Sequence, residues 1–250
     1  MKAIYYSLTD KGITRDHNED AFLNNAQYAL FMVADGMGGH EWGDVASRIL
    51  LSSIVADLEL SLPDAAIISE TSLRRAVSHG NRTIYNLKQV DEALKTVGTT
   101  LVGFIPGFFS GFAFNIGDSR LYRLREGKLE QMTKDHSIEN NLPDFMQGIG
   151  QGKYSSMLSK AIGAARDEEI DMYEFDLKKD DVILLCTDGL YSMVPEDEIV
   201  NILSPSGSLK FKAERLVAEA NKRGGEDNIT VTLIQCFDMD KRDQFEMIPA

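Results

Sequence analysis

Four aspartates of this 250-residue chain stand where an apolar run meets glycine, and that recurrence constrains the fold more than any other feature. Asp35 closes the run from Tyr28 to Ala34 and is followed by Gly36, Gly38 and Gly39. Asp188-Gly189 ends the run from Asp181 to Thr187. Asp118 follows Gly117 between two strand-like pieces, and Asp227 follows Gly224-Gly225-Glu226 just before Ile229 to Ile234. Glycine permits positive φ and close backbone approach. A single aspartate beside glycine is ordinary turn chemistry. Four such ends in distant parts of one chain point further. If the strands pack together, the carboxylates converge at one edge, where their repulsion demands cations. Carboxylates beside backbone carbonyls suit a hard cation such as Mg²⁺ or Mn²⁺.

Composition narrows the ligands. The net charge of −13 speaks against nucleic acid as the main partner, because a phosphate backbone needs clustered Lys and Arg. It speaks equally against an anionic membrane surface. The apolar content of 43% is ample for a core. Cys186 and Cys236 both sit inside strand-like runs, which reads as buried small hydrophobes rather than a disulfide or a metal site. Met1 to Tyr6 lacks the apolar core of a signal peptide, and no run is long enough to span a bilayer. The expectation is a soluble, cytoplasmic, monomeric chain.

Strand patterns cover Ala3 to Leu8, Ala21 to Leu23 and Tyr28 to Ala34, with Asn24-Asn25 at the turn between the last two. Leu51, Ile54, Val55 and Leu58 recur at helical spacing within Val45 to Leu60. Leu73, Ala76, Val77, Gly80, Ile84 and Leu87 form a stripe within Ser69 to Leu87. Leu101 to Phe114 breaks into two strands at Pro106-Gly107 and Ser110-Gly111. Strands follow at Phe112 to Ile116, Leu121 to Arg125, Lys128 to Met132, Met172 to Leu177 and Val182 to Cys186. Helices from Pro195 to Leu203 and Phe211 to Asn221 precede a last strand, Ile229 to Phe237. Residues 138 to 158 have weak periodicity and read as a flap, and the tail from Asp238 reads as loose. Strands, two long helices, strands, helices and a strand suit an α+β sandwich better than alternating βαβ units.

Eight segments together carry a resemblance. They are Arg15-x-x-Asn18-Glu19-Asp20-Ala21, Asp35-Gly36-Met37-Gly38-Gly39-His40, Gly98-Thr99-Thr100, Gly117-Asp118-Ser119-Arg120, Asp135-His136-Ser137, Ala161-Ile162-Gly163, Thr187-Asp188-Gly189-Leu190 and Gly225-Glu226-Asp227-Asn228-Ile229-Thr230-Val231. In this order they resemble the metal-dependent protein phosphatase (PPM, type 2C) family, and most closely its bacterial single-domain members. The resemblance runs from about residue 7 to about residue 237. It implies an αββα sandwich, two antiparallel sheets flanked by helices, as one domain over 1–240 with a flap at about 138–160 and a tail at 241–250.

The resemblance further implies a Ser/Thr phosphoprotein phosphatase with two Mn²⁺ or Mg²⁺ ions bridged by a water that attacks the phosphorus. Asp35 would bridge the ions and Gly36 would lend its carbonyl oxygen; Asp188 and Asp227 would hold the second ion. Glu19 and Asp20 would act nearby through bound waters, and Asp118, with Asp188, would serve a weaker third ion. Arg15 would grip the phosphate, since its planar fork suits phosphate oxygens. The leaving oxygen needs a proton. Some relatives carry a histidine two residues after the aspartate that stands here as Asp35, and this chain has Met37 there. His40 or a bound water is then the candidate acid, the other reading of His40 being a plain helix-start residue. His136 reads as a turn brace, and Thr99 and Thr100 as hydrogen-bonding supports of the metal loops. Residues 138 to 158 depart from the family's usual flap, which leaves substrate choice open. The implied partners are phosphoproteins made by Ser/Thr kinases. The competing readings are a pseudophosphatase or partner-binding regulator of the same fold, and a Ca²⁺-stabilised structural domain. The first would require lost ligands, and the second uses ligands clustered in sequence.

Overall fold

The computed structural model describes residues 2–38, 42–63, 67–107, 109–138, 157–238 and 246–249. In chain order the strands are β1 (Lys2–Asp10), β2 (Asp20–Asn25), β3 (Leu30–Met37), β4 (Gly98–Thr99), β5 (Leu101–Pro106), β6 (Ser110–Ile116), β7 (Arg120–Arg125), β8 (Lys128–Gln131), β9 (Asp171–Asp176), β10 (Val182–Cys186), β11 (Ile229–Asp238) and β12 (Glu246–Pro249). The helices are α1 (Gly43–Ser61), α2 (Glu70–Leu87), α3 (Asp188–Tyr191), α4 (Glu196–Leu203) and α5 (Leu209–Lys222). One sheet has the order β12-β1-β11-β10-β7-β8 and the other β2-β3-β5-β6-β9, with β4 paired to the end of β3.

Residue parity explains the layering. In β3, Leu30, Met32 and Ala34 pack with α1 and α2, while Phe31 and Val33 face the opposite sheet. In β10, Val182, Leu184 and Cys186 pack towards the helical layer of α3, α4 and α5, while Ile183 and Leu185 face inward. Both faces are thus apolar, as strands buried on two sides require. Three apolar layers result, helix on sheet, sheet on sheet and sheet on helix, which is the αββα sandwich expected.

The helices obey their local signals. Ser69 caps α2 by accepting from the Ser72 amide, and Ser208 caps α5 by accepting from the Phe211 amide. The acidic first turn Glu196, Asp197 and Glu198 opens α4 after Pro195. Three boundaries differ from expectation. The strand carrying Asp35 runs on to Met37 because Gly36 and Met37 pair with Thr99 and Gly98. Asp188-Gly189 does not end in an open loop but starts the single turn α3. The tail is not loose throughout: Lys2 to Tyr5 of β1 pair in parallel with Glu246–Pro249. An unpaired edge at β1 offers its backbone groups to that short segment. Most of the expected flap lies outside the described residues.

Candidate active site

The inward faces of the strands change character at one end of the sandwich. In β11 the inward residues run Cys236, Ile234, Thr232, Thr230, and in β1 they run Ala3, Tyr5, Ser7, Thr9. Apolar side chains give way to hydroxyls. In β3 the same parity continues from Phe31 and Val33 to Asp35. The period of two therefore brings Asp35, Thr187 and Thr230 to the same end of the inter-sheet space.

Asp20 lies opposite Asp35 in the β2–β3 register. It is buried, 4% exposed. Its Oδ2 accepts from the Thr187 hydroxyl at 2.8 Å and the Thr230 hydroxyl at 2.7 Å, whereas its buried Oδ1 has no hydrogen-bond partner. The Thr9 and Thr230 hydroxyls are 2.7 Å apart, and the Asn18 amide donates to Thr9 at 2.8 Å. A polar chain thus runs from the first strand to this carboxylate.

Asp35 is held by its backbone. Its amide donates to the Thr100 hydroxyl at 2.9 Å and its carbonyl accepts from the Thr99 hydroxyl at 2.9 Å. This matches the supporting role expected of both threonines. Gly36 packs so closely that an added Cβ would lie 2.1 Å from the Gly43 carbonyl oxygen. Any side chain there would push α1 away from β3. Asn228 ties the loops together: its side-chain oxygen accepts from the Glu19 amide, and its side-chain amide donates to the Lys11 and His17 carbonyls, each at 2.8 Å.

A cavity of about 730 Å³ opens here, lined by Arg15, Glu19, Asp35, Gly36, Asp118, Asp188 and Asp227 among others. Seven of the expected site residues are thus brought to one space. Asp20 lies buried behind them, and His40 falls outside the described residues. Among the described residues, no three acidic, histidine or cysteine side chains are already drawn into one ion-sized cage. The carboxylates instead face one another across the cavity. Asp188 lies beside the Asp35 carboxyl, and its Oδ1 is buried without a partner.

The electrostatics follow. Burial and the negative charge of Asp20, Asp188, Asp118 and Asp227 hold Asp35 well above the ordinary carboxylate range. Burial, with Asp188 and Asp227 nearby, pushes Asp20 up to about 7. Burial, with Asp188 and Asp135 nearby, pushes Asp118 up to about 7. Burial and Asp227 raise Asp188 to about 6. Glu19 is raised by burial too, and Arg15 opposes the shift. Arg15, half exposed at the mouth, donates to Asp227 Oδ2 at 2.7 Å. Glu19, Asp35, Asp118 and Asp188 thus all hold a proton more tightly than a free carboxyl group does.

Sequence reasoning missed several supports. The Tyr191 hydroxyl donates to the Asp118 carbonyl at 3.0 Å, and the Arg120 guanidinium lies 3.6 Å from the Tyr191 ring centre while forking onto Asp135. The Thr100 hydroxyl also meets Ser119 at 2.7 Å. Only parity along each strand would have hinted at the Thr187–Asp20–Thr230 set. His136 behaves as a brace, 5% exposed, with its ring between Gly117 and Asp171. His17 and His79 are exposed.

Comparison with known proteins agrees with this architecture. The family profile described as Protein phosphatase 2C matches residues 13–223. A serine/threonine phosphatase, stp, of Listeria welshimeri is 37% identical over 243 residues, covering 91% of this chain and 93% of its own. The protein phosphatase PhpP of Streptococcus pneumoniae is 33% identical over 247 residues, covering 93% of this chain and 97% of its own. The catalytic domain of the phosphatase PstP, solved in complex with two manganese ions, superposes with a TM-score of 0.82 at 31% identity, over 94% of this chain and 99% of that one. Sequence, architecture and the acidic cavity agree: this chain belongs to the protein phosphatase 2C family of metal-dependent serine/threonine phosphatases.

Proposed function

We propose that the acidic cavity hydrolyses phosphoserine and phosphothreonine in proteins at a centre of two Mn²⁺ or Mg²⁺ ions. One observation carries this reading: buried carboxylate oxygens of Asp20 and Asp188 have no partner and lie among further carboxylates that line the same cavity. An orphaned buried polar atom costs about 1–3 kcal/mol, and a crowd of carboxylates costs more unless neutralised. An all-oxygen donor set fits hard divalent cations and not soft ones.

Asp35 would bridge the two ions, Gly36 would offer its carbonyl, and Asp188 and Asp227 would hold the second. Asp118 with Asp188 would serve a third, weaker ion. Glu19 and Asp20 would act through intervening waters, and the Thr187 and Thr230 hydroxyls keep Asp20 in place. The bound ions supply positive charge for a phosphomonoester dianion and a water acidic enough to attack at neutral pH. Arg15, at the mouth, directs its guanidinium to the phosphate oxygens. His40 or a bound water is the proposed proton donor to the leaving oxygen.

Among the described residues no helix is long and apolar enough to cross a membrane. A cytoplasmic, signalling role on kinase products, as one phosphatase domain acting as a monomer, accords with the sequence reading. Phosphothreonine peptides and p-nitrophenyl phosphate should be hydrolysed only with Mn²⁺ or Mg²⁺ present. Turnover that survives exhaustive chelation would refute the reading.

A further inference from the structure

His136 touches both the Gly117–Asp118 turn and the segment 157–159. Its backbone amide donates to the Gly117 carbonyl at 2.9 Å, and the Gly117 amide donates back to His136 Nδ1 at 3.1 Å. That return bond makes Nδ1 an acceptor, so the ring hydrogen sits on Nε2. From there it is donated to Asp171 Oδ2 at 3.1 Å. Asp171 itself stands opposite Asn115 where β9 pairs with β6, so the ring closes the end of that ladder.

Gly117 is the residue before Asp118. Its φ of +102° lies in the region that favours glycine, and an added Cβ would sit 2.6 Å from Thr100 Cγ2. Thr100 in turn holds the Asp35 amide and Ser119. The turn presenting Asp118 is therefore packed on one side by Thr100 and clasped on the other by His136.

The second contact is on the opposite side of the histidine backbone. The Ser159 amide donates to the His136 carbonyl at 2.7 Å, and the Ile138 amide donates to the Met157 carbonyl at 2.8 Å. Ser137 and Leu158 form a β-bridge, and Met157 and Leu158 line the acidic cavity. One buried residue thus touches both the Asp118 turn and the segment that delivers Met157 and Leu158.

We infer that His136 is a positioning residue that locks the Asp118 turn and the 157–159 cavity wall into one register, so that the site's weakest cation position and its wall are set together. The part concerning Asp118 rests on the proposed role of that residue as a cation ligand. A residue that merely supported the fold would, when removed, loosen the β6–β9 ladder generally.

The test uses the whole chain with His136→Ala, His136→Asn and Asp171→Asn. Asparagine keeps a side-chain acceptor close to the position of Nδ1, so it should restore the Gly117 bond. In His136→Ala, amide deuterium exchange should rise on the order of tenfold at both 117–120 and 157–159, with 188–190 and 228–231 unchanged. The Mn²⁺ concentration for half-maximal turnover should rise by about tenfold. His136→Asn should recover the 117–120 protection, and Asp171→Asn should give a smaller rise at both segments. Faster exchange at only one segment, at neither, or throughout the sheet would overturn the inference, as would an asparagine variant no better than alanine. If the unaltered chain shows no response to Mn²⁺ at all, the metal reading fails, and the exchange pattern alone decides the role of His136.

Discussion

Strand β10 has an acid at each end, and the chain treats the two in opposite ways. Asp181, just before the strand and 1% exposed, accepts two hydrogen bonds from Arg125, both at 2.7 Å, and a third from the Lys178 amide at 2.8 Å. Arg125 and Arg123 also engage Asp176, so every carboxylate at this end is paired with a guanidinium, although Arg123 Nε itself has no partner. Asp188, just after the strand, meets another carboxyl and keeps a buried oxygen unpaired. The same residue type on the same strand is neutralised by protein at one end and left for something else at the other. A buried charge is tolerable only when paired. The unpaired end is therefore the one that has to be completed from outside the chain.

Substitutions at the two ends should separate function from stability. Asp188→Ala should lower kcat/KM by at least about 10²-fold, measured with Mn²⁺ and a phosphothreonine peptide. It should not lower the melting temperature of metal-free protein, since it removes a repelled carboxylate. Asp181→Ala should do the reverse. It removes two charged hydrogen bonds from Arg125, which keeps only Asp176, and should cost about 2 kcal/mol, or roughly 4–8 °C in melting temperature for a chain of this size. Turnover per folded molecule should be unchanged. If both variants lose activity and stability alike, the contrast between the two ends is wrong.

A pH series sharpens the same contrast. Asp20 and Asp118 rise in the folded state from a usual value of 3.8 to about 7. A raised carboxyl pKa means that the folded chain holds its protons more tightly than the unfolded one. The stability so gained is fully present below pH 4 or so and is lost as pH rises through about 7. Metal-free protein should thus melt several degrees higher at pH 5 than at pH 8, as followed by scanning calorimetry. Saturating Mn²⁺ should reverse the order, because cation binding needs ionised carboxylates. Arg15→Lys tests the smallest effect. Lysine keeps the charge but not the fork, so KM should rise by about tenfold with kcat changed less. An unchanged KM would remove Arg15 from phosphate binding.

Much of this was legible from the chain. Apolar residues at spacing three and four mark α1 and α2, and runs such as Leu30–Ala34 and Val182–Cys186 mark buried strands, because burial on two faces leaves little room for polar residues. The gathering of Asp35, Asp188 and Asp227 was legible through the order of their glycine-flanked segments. What was hidden depends on contacts between distant strands. That Asp20 would receive hydroxyls from Thr187 and Thr230 needs the packing of two sheets. The turn α3 is too short to show helical periodicity, and β12 exists because β1 offers an edge, which four residues cannot announce. The Arg120–Tyr191–Asp118 stack likewise joins residues that no spacing links.

Titration calorimetry of metal-free protein with Mn²⁺, run in buffers of different ionisation enthalpy, tests the central claim most directly. The account predicts uptake of at least two ions per chain with release of protons, as the tightly held protons of Asp35, Asp188 and Asp20 are displaced, and a collapse of that uptake in Asp188→Ala. No uptake, or uptake that is unchanged in Asp188→Ala and releases no protons, would contradict it.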